Sequence, residues 1–193
     1  SGDYAYVADA SSGLRIIDIK SRTNPIEVGF CDTPSIAYGV AISDKYAYVA
    51  DGYSGLQVIN ISDPSSPKVV GSYDTDISWD VAVSGNYAYM ADYGSGLRVI
   101  DVSDPTSPIQ ADSYDTPSLS FDVAISGSYI YVADYESGLQ ILQSDLLDDL
   151  KGLWHFDEGS GSIVADSSGN NNAGTIHGAN WVKQGNGYCL DFD

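Results

Sequence analysis

Short runs of alternating large and small side chains, separated by polar turns, recur along most of the chain. In residues 87–91 tyrosines alternate with alanine and methionine, and in residues 97–102 the apolar positions are rich in branched side chains, so both runs predict β-strands. The residues between them include Asp, Ser and two glycines, a composition typical of a tight hairpin turn. The segment therefore predicts a two-stranded hairpin.

This hairpin sequence occurs four times, as YAYVADASSGLRIID, YAYVADGYSGLQVIN, YAYMADYGSGLRVID and YIYVADYESGLQILQ. The first tyrosines of successive copies are 42, 41 and 42 residues apart. A period this constant indicates a repeat architecture. Each copy has a glycine at the end of its turn: Gly13, Gly55, Gly96 and Gly138.

Each repeat contains two further predicted strands. A short apolar run with a central alanine precedes the hairpin at residues 39–43, 80–84 and 122–126. A turn containing proline and then an extended run follow it, the runs being at residues 26–33, 68–75 and 109–116. Four strands in about 40 residues are typical of one β-propeller blade. A β-helix has a shorter period, helical repeats need a 3.6-residue period, and a β-sandwich gives no reason for a fixed recurrence.

The predicted fold class is therefore all-β, a partial β-propeller of four-stranded blades. The repeats lie near residues 1–37, 38–78, 79–120 and 121–143, and their predicted strands number three, four, four and three, about three and a half blades. Soluble proteins seldom leave strand edges and apolar blade faces uncovered. We therefore expect a longer polypeptide, in which upstream repeats complete about six to eight blades and an N-terminal segment supplies the missing outer strand. Otherwise a neighbouring molecule must supply strands.

The runs LRIID, LQVIN and LRVID follow YVAD or YMAD, and the last two precede SDPSSP or SDPTSP. They resemble the LVIVD repeat of bacterial and archaeal surface proteins over residues 1–143. The resemblance implies a propeller-like fold, an extracellular or cell-surface location and an adhesive or structural role, and it brings no catalytic residues. In the fourth copy Gln143 stands where Asp18 and Asp101 stand, and no SDP turn follows, which predicts that the repeats end there.

The sequence changes character after the repeats. Residues 144–151, SDLLDDLK, predict a linker, and residues 152–193 are rich in glycine and asparagine. The pieces WHFDEGSG, DSSGN and LDFD resemble the beginning of a laminin-G or concanavalin A-like jelly roll. Since so short a segment buries too little surface to fold alone, the resemblance implies an incomplete β-jelly-roll segment, the truncated start of such a domain.

The formal net charge is −19, from 24 Asp and 3 Glu against 8 Lys plus Arg. Such a chain repels nucleic acid and anionic lipid, and it contains no apolar run of about 18 residues that could span a membrane. The expected partners are therefore an extracellular glycan or protein, or copies of the chain itself.

Aspartates that flank the predicted inner strands are candidate ligand or cation sites: Asp32, Asp74, Asp80, Asp115 and Asp122. In a propeller these positions would surround one mouth of the central channel, where carboxylates suit Ca²⁺ or a polyhydroxylated ligand. Solvated turn aspartates explain the same residues, and Gly39 interrupts the pattern. The sequence requires no cofactor, and Ca²⁺ is the cation that the pattern suggests.

The hairpin turns hold the remaining candidates. Their first residues, Asp9, Asp51, Asp92 and Asp134, are predicted to cap the turns. Tyr53, Tyr93 and Tyr135 fall within the turns and are candidate surface contacts with sugar or protein. Asn60 begins an Asn-Ile-Ser sequon and is a candidate N-glycan site, although its place in a predicted strand also fits a structural role.

The sequence assigns no catalytic residue, because it contains no nucleophile elbow, no HExxH motif and no cluster of Cys and His. The preferred hypothesis is a non-enzymatic scaffold or binding protein for adhesion, carbohydrate or protein binding, or assembly of a surface layer or fibre. One alternative is a secreted hydrolase or redox enzyme with a lectin-like docking domain. Another is a purely structural subunit whose open edges a neighbour completes.

Overall fold

The computed structural model describes residues 2–143, 160–164, 174–176, 180–184 and 187–191, and the chain forms two compact units, Ser1–Leu147 and Asp148–Asp193. The first unit contains four antiparallel sheets in which neighbouring strands are consecutive in the chain. The first two sheets are β1 (Tyr4–Ala8), β2 (Leu14–Asp18), β3 (Ile26–Cys31), and β4 (Gly39–Ser43), β5 (Tyr46–Ala50), β6 (Leu56–Asn60), β7 (Lys68–Tyr73). The next two are β8 (Asp80–Ser84), β9 (Tyr87–Ala91), β10 (Leu97–Asp101), β11 (Ile109–Tyr114), and β12 (Asp122–Ser126), β13 (Tyr129–Ala133), β14 (Leu139–Gln143). The prediction of sheets with three, four, four and three strands is confirmed.

The sheets are blades that pack face to face, and the second and third sheets pack against a neighbouring blade on both faces. Between the second and third blades, Tyr48 and Leu56 of one sheet contact a cluster that includes Ala88 and Met90 of the next. Tyr89, on the other face of β9, is fully buried in the cluster shared with the fourth blade. Tyr48 thus meets Ala88 and Met90 of the third blade, whereas Tyr89 meets branched side chains of the fourth. A side chain such as Leu56 contributes about 1.5–3 kcal/mol by its burial.

The outer strands approach the backbone of the following blade very closely. A Cβ atom at Gly29 of β3 would overlap the carbonyl oxygen of Pro64, and one at Gly71 of β7 would overlap that of Pro105. Both prolines belong to the S-D-P turns of the next blade. In β11 the residue in the same register is Asp112. Glycine therefore stands where an S-D-P turn of the next blade comes into contact.

In the second, third and fourth blades a buried aspartate fastens the hairpin to the loop that leads into the inner strand of the same blade. These loops, here named crossover loops, are residues 32–38, 74–79 and 115–121. The Asp51 carboxylate is fully buried and accepts hydrogen bonds from Thr33 Oγ1 at 2.6 Å and from the Ser35 backbone N–H at 2.9 Å. Burial raises the pKa of Asp51, and these two hydrogen bonds act in the opposite direction.

The same contact recurs in the next two blades. Asp92 accepts from the backbone N–H of Ile77 at 2.9 Å, and Asp134 accepts from that of Ser118 at 3.0 Å, both with buried carboxylates. The backbones of these aspartates close the hairpin turns, as the Asp92 N–H does by donating to the Gly96 carbonyl at 2.8 Å. Asp9 is exposed and pairs with Arg15 at 3.7 Å.

The described residues of the second unit form two antiparallel strand pairs. β15 (Ile163–Val164) pairs with β16 (Gly174–Thr175), and β17 (Asn180–Gln184) pairs with β18 (Gly187–Asp191). Trp181 Nε1 donates a hydrogen bond to the Gly161 carbonyl at 2.8 Å. The predicted linker at 144–151 lies outside the described residues, and the jelly-roll assignment stays a prediction.

Replacing Gly71 by alanine is expected to lower the free energy of unfolding by about 1–3 kcal/mol, because the backbone of Pro105 stands where the methyl group would go. Asp112→Ala, in the same register of β11, is the matched control and should change that free energy by less than about 0.5 kcal/mol. Urea unfolding followed by circular dichroism compares the two. Equal losses would contradict a role for close blade approach.

Asp92→Ala is expected to lower the free energy of unfolding by about 1–3 kcal/mol, because the Ile77 N–H would remain buried without its acceptor. Asp9→Ala is the control, since Arg98 lies 3.7 Å from Asp92 as Arg15 lies 3.7 Å from Asp9. The comparison therefore isolates the crossover-loop contact from the ion pair. Similar melting temperatures for both variants would show that this contact adds no stability.

Candidate functional site

One end of the blades gathers the candidate residues. Because neighbouring strands are antiparallel, the hairpin turns and the crossover loops lie at the same end, and the S-D-P turns lie at the opposite end. The end formed by the hairpin turns and crossover loops is here named the upper rim. The predicted cation and tyrosine candidates all lie on it, whereas Asn60, at the far end of β6, does not.

An aromatic residue precedes the inner strand in three successive blades, and these three rings contact one another. Tyr38 stacks on Trp79 with ring centroids 4.4 Å apart and planes inclined by 16°. Trp79 meets Phe121 edge to face at 5.0 Å. Three aromatic residues that lie 41 and 42 positions apart in the sequence thus form a continuous row of rings across three blades, here named the aromatic band.

Two of the three predicted tyrosines join this aromatic band. Tyr93 lies 5.6 Å from Phe121, and Tyr135 lies 5.9 Å from the same ring, both edge to face. Both tyrosines have positive φ, 41° and 37°, in a turn position where the second blade has Gly52. Aromatic residues hold such a conformation only against an energy cost of about 1–3 kcal/mol, so the surrounding contacts keep these rings on the rim.

Tyr53 occupies a different place. It is one position later in its turn than Tyr93 or Tyr135 are in theirs, and its side chain is 75% exposed. A Cβ at Gly52 would lie 3.2 Å from Ser35 Oγ and 3.3 Å from the Ile36 carbonyl oxygen, so the crossover loop crowds this turn position. Tyr53 thus lies at a different turn position from Tyr93 and Tyr135, which form part of the aromatic band.

Asp80 and Asp122 come together directly beside the aromatic band. Each follows one of its residues, Trp79 or Phe121, and begins an inner strand. Asp80 Oδ2 accepts the backbone N–H of Val123 in the next blade at 3.1 Å. Burial raises the pKa of Asp80 to about 6, with hydrogen bonding to Asp122 and the charge of Asp122 acting in the same direction. Burial therefore favours the protonated form of the Asp80 carboxyl.

Gly39 begins the inner strand of the second blade, where the next two blades have Asp80 and Asp122, and the reason for this difference is steric. A Cβ at this position would overlap Asp80 Oδ1 and would lie 2.9 Å from Asp80 Cα. The Asp80 side chain thus occupies the space between the inner strands of the second and fourth blades. An aspartate at position 39 does not fit beside it.

Asp32, Asp74 and Asp115 are exposed on the crossover loops and do not join the Asp80 and Asp122 pair. Asp115 lies 3.8 Å from Arg98. Within the described part of the chain, no three or more His, Cys, Asp or Glu side chains come together as a metal site. The structure thus brings two of the five predicted carboxylates together, and Ca²⁺ binding stays a prediction.

Asn60 has a turn-forming contact that its sister residues share. Its Oδ1 accepts the Ser62 N–H at 2.9 Å, as Asp18 Oδ1 accepts from Lys20 and Asp101 Oδ1 from Ser103. The side chain therefore has a structural role, and glycosylation of Asn60 stays a prediction.

The band residues Tyr38, Trp79 and Phe121 were not assigned a role from sequence. Their signal was available, since an aromatic residue stands at the same place before each of three inner strands. What the sequence could not show was that crossover loops of neighbouring blades come close enough for ring contact.

Comparison with known structures agrees with a blade architecture. The computationally designed Ika4 protein matches with a TM-score of 0.60 and 10% identity over 74% of this chain and 86% of that chain. The designed Ika8 protein matches with a TM-score of 0.62 and 10% identity over 91% of this chain, which spans 56% of that chain. At this identity the likeness to these propeller designs shows the fold alone. No protein with a curated description matches.

Two further findings concern membranes and family. In the described residues, no helix has the length and apolar character needed to cross a bilayer. The LVIVD repeat model matches residues 1–33, 35–75, 77–116 and 120–143, which cover more than half of the chain and agree with the four blades. The chain therefore belongs to the LVIVD-repeat family.

Proposed function

We propose that this protein is a non-enzymatic binding scaffold of the cell surface or extracellular space, and that its upper rim contacts a glycan. The observation that carries the proposal is the aromatic band, in which five rings from three blades are in contact. Tyr38 and Tyr135 expose 40% and 63% of their surface, so a ligand could reach the band without rearrangement. Aromatic faces with polar tips suit the alternating apolar and hydroxyl surfaces of sugars.

Charge favours an uncharged ligand over a polyanion. At a net charge of −19 the protein repels nucleic acid and acidic polysaccharide, whereas a neutral glycan is not repelled. The exposed carboxylates of Asp32, Asp74 and Asp115 lie on the same rim and can accept hydrogen bonds from sugar hydroxyls. Adhesion or assembly of a surface layer would use the same rim repeatedly along a longer scaffold.

The second unit is proposed as the start of a laminin-G or concanavalin A-like domain. Support comes from the motifs WHFDEGSG, DSSGN and LDFD and from the antiparallel pair β17–β18, whose second strand contains Leu190 and Asp191. Such a domain would add a second ligand-binding surface to the scaffold.

A hydrolase is the second candidate, and the raised pKa of Asp80 is the observation that favours it. A carboxylic acid with a pKa of about 6 beside a second carboxylate is a pattern that enzymes use for proton transfer. Carboxyl groups that hydrogen-bond to each other are nearer than the roughly 5 Å that glycoside hydrolysis needs. We therefore rank binding above hydrolysis.

Tyr135→Ala is expected to weaken binding of a neutral polysaccharide such as xylan or β-glucan about tenfold, because one exposed ring of the band is lost. Tyr53→Ala is the matched control, since Tyr53 is also an exposed turn tyrosine but lies off the band. Affinity gel electrophoresis with each polysaccharide measures the effect. Absence of retention for the unaltered protein on every neutral polysaccharide would overturn the glycan proposal, and polysaccharide cleavage abolished by Asp80→Asn would favour the hydrolase.

Asp80 is expected to make stability depend on pH. Because the pKa of Asp80 is raised in the folded protein, the proton bound to Asp80 stabilises the fold fully below about pH 4. This contribution is lost as the pH rises through about 6. Asp80→Asn should remove this loss and become the more stable protein at pH 7 by about 1 kcal/mol, after the partial exposure of the pair is allowed for. Melting temperatures of both proteins at pH 4 and pH 7 are the measurement, and parallel changes would contradict the raised pKa of Asp80.

Calcium provides a separate test of the rim carboxylates. If Asp80 and Asp122 bind Ca²⁺, adding the ion should raise the melting temperature at pH 7, and Asp122→Asn should abolish the rise. A melting temperature that responds to neither Ca²⁺ nor EDTA would remove the calcium hypothesis and leave the glycan proposal untouched.

A further inference from the structure

The crossover loop that leads into the third blade, residues 74–79, is shorter than the other two. It has six residues, whereas the loops of residues 32–38 and 115–121 have seven. The longer loops read DTPSIAY and DTPSLSF, and the shorter one reads DTDISW. All three keep the initial Asp-Thr pair and the final aromatic residue. The third blade is therefore entered through a loop that lacks one residue and has Asp76 in place of proline.

The shorter loop changes which donors reach the buried aspartate of the hairpin. In the second blade Thr33 Oγ1 donates to Asp51 at 2.6 Å. In the third blade the Asp92 carboxylate accepts two backbone N–H groups of the loop, that of Ile77 at 2.9 Å and that of Asp76 at 3.3 Å. Backbone donors of the shorter loop thus take the place of the threonine hydroxyl.

Two polar atoms of the shorter loop are left without partners. Within the part of the chain that the structure describes, Thr75 Oγ1 and Trp79 Nε1 are buried and have no hydrogen-bond partner. The corresponding hydroxyl of Thr116 pairs with Ser120 Oγ at 2.8 Å. Buried polar groups nearly always have a partner, and leaving one unpaired costs stability. The loop therefore leaves two hydrogen bonds unmade directly beside the aromatic band, to which Trp79 belongs.

We propose that loop 74–79 changes conformation when a glycan binds to the aromatic band, so that the Trp79 indole N–H donates to a sugar oxygen and Thr75 Oγ1 donates to Asp92. This inference rests on the proposed function and identifies the part of the same site that responds to the ligand. The exposed Tyr38 ring, stacked on Trp79, offers the first contact. A ligand shifts a conformational equilibrium only through interactions that it makes in one of the two states. The bond to Trp79 is such an interaction, because the indole nitrogen is buried in the free protein.

The second blade shows the contact that the rearranged loop would adopt. Thr33 and Thr75 are both the second residue of their crossover loops, and Asp51 and Asp92 both begin hairpin turns. The 2.6 Å bond in the second blade shows that a threonine at this place can reach the buried carboxylate. In the third blade the hydroxyl would replace the Asp76 N–H, whose bond is the longer of the two and whose residue is exposed to solvent.

Replacing single threonine hydroxyls by methyl groups tests the free state. Thr75→Val is expected to leave the melting temperature of the full chain unchanged or to raise it, because a buried hydroxyl without a partner is removed. Thr33→Val is the matched control and should lower the melting temperature, because the bond to Asp51 is lost. Equal losses in both variants would show that the Thr75 hydroxyl is already paired in the free protein and would overturn the proposal.

Binding should respond in the opposite order. Thr75→Val is expected to weaken the affinity for xylan or β-glucan about tenfold, because the bound state loses the bond to Asp92. Thr106→Val, in an S-D-P turn at the opposite end of the blades, is the control and should bind within about twofold of the unaltered chain. Affinity gel electrophoresis measures both variants. Equal affinities would overturn the change of the loop and leave the glycan proposal standing.

The indole N–H of Trp79 gives a direct signal of the change. In proton–nitrogen correlation spectra of the full chain, this signal is identified by its loss in Trp79→Phe. Addition of xylan or β-glucan oligosaccharides should move its proton resonance downfield, because the N–H gains an acceptor. An unmoved signal in a chain that still binds would overturn this inference alone. A chain that no neutral polysaccharide retains would overturn the inference together with the glycan proposal.

Discussion

The distance between neighbouring blades is the constraint on which the rest of the structure depends. At Gly29 and Gly71 the backbone of the next blade lies where a side chain would begin, so the sheets meet through main-chain contact at their outer strands. On the wide faces nearer the centre, Tyr48 enters a cluster with Ala88 and Met90. Tyr48 can face the small Ala88 only if the two faces of a blade carry different side chains. The alternation within a single strand such as β9 meets this requirement, because adjacent residues point to opposite faces.

The geometry of the upper rim follows from this distance between neighbouring blades. Buried Asp51 and Asp92 hold the crossover loops against the hairpin turns. Each of these loops ends in an aromatic residue, whose position relative to the next blade is thereby fixed. The contact between the Tyr38 and Trp79 rings therefore depends on the distance between two blades and not on the conformational preference of either loop. The Asp80 carboxylate likewise reaches a neighbouring inner strand, and its raised pKa follows from burial there. The candidate site is thus assembled from residues of three different blades.

The sequence was sufficient for the strands because their signals are local and repeated. The runs predicted at 39–43, 80–84 and 122–126 are the inner strands β4, β8 and β12. Alternation within five residues and a constant period determine such elements without knowledge of their neighbours. The partner of the Asp51 carboxylate could not be found in this way, since Thr33 is 18 residues distant and the contact requires the blade to be folded. Nor could the sequence show that the turn position shared by Gly52 and Tyr93 takes a positive φ.

Departures from the repeat are explained by the neighbouring blade rather than by the blade that carries them. Gly39 replaces an aspartate because the Asp80 side chain fills the space in front of it. Asp112 replaces a glycine where no described S-D-P turn approaches, so that position tolerates a side chain. In a repeat fold the identical residues specify the blade, and the residues that differ specify what lies beside it.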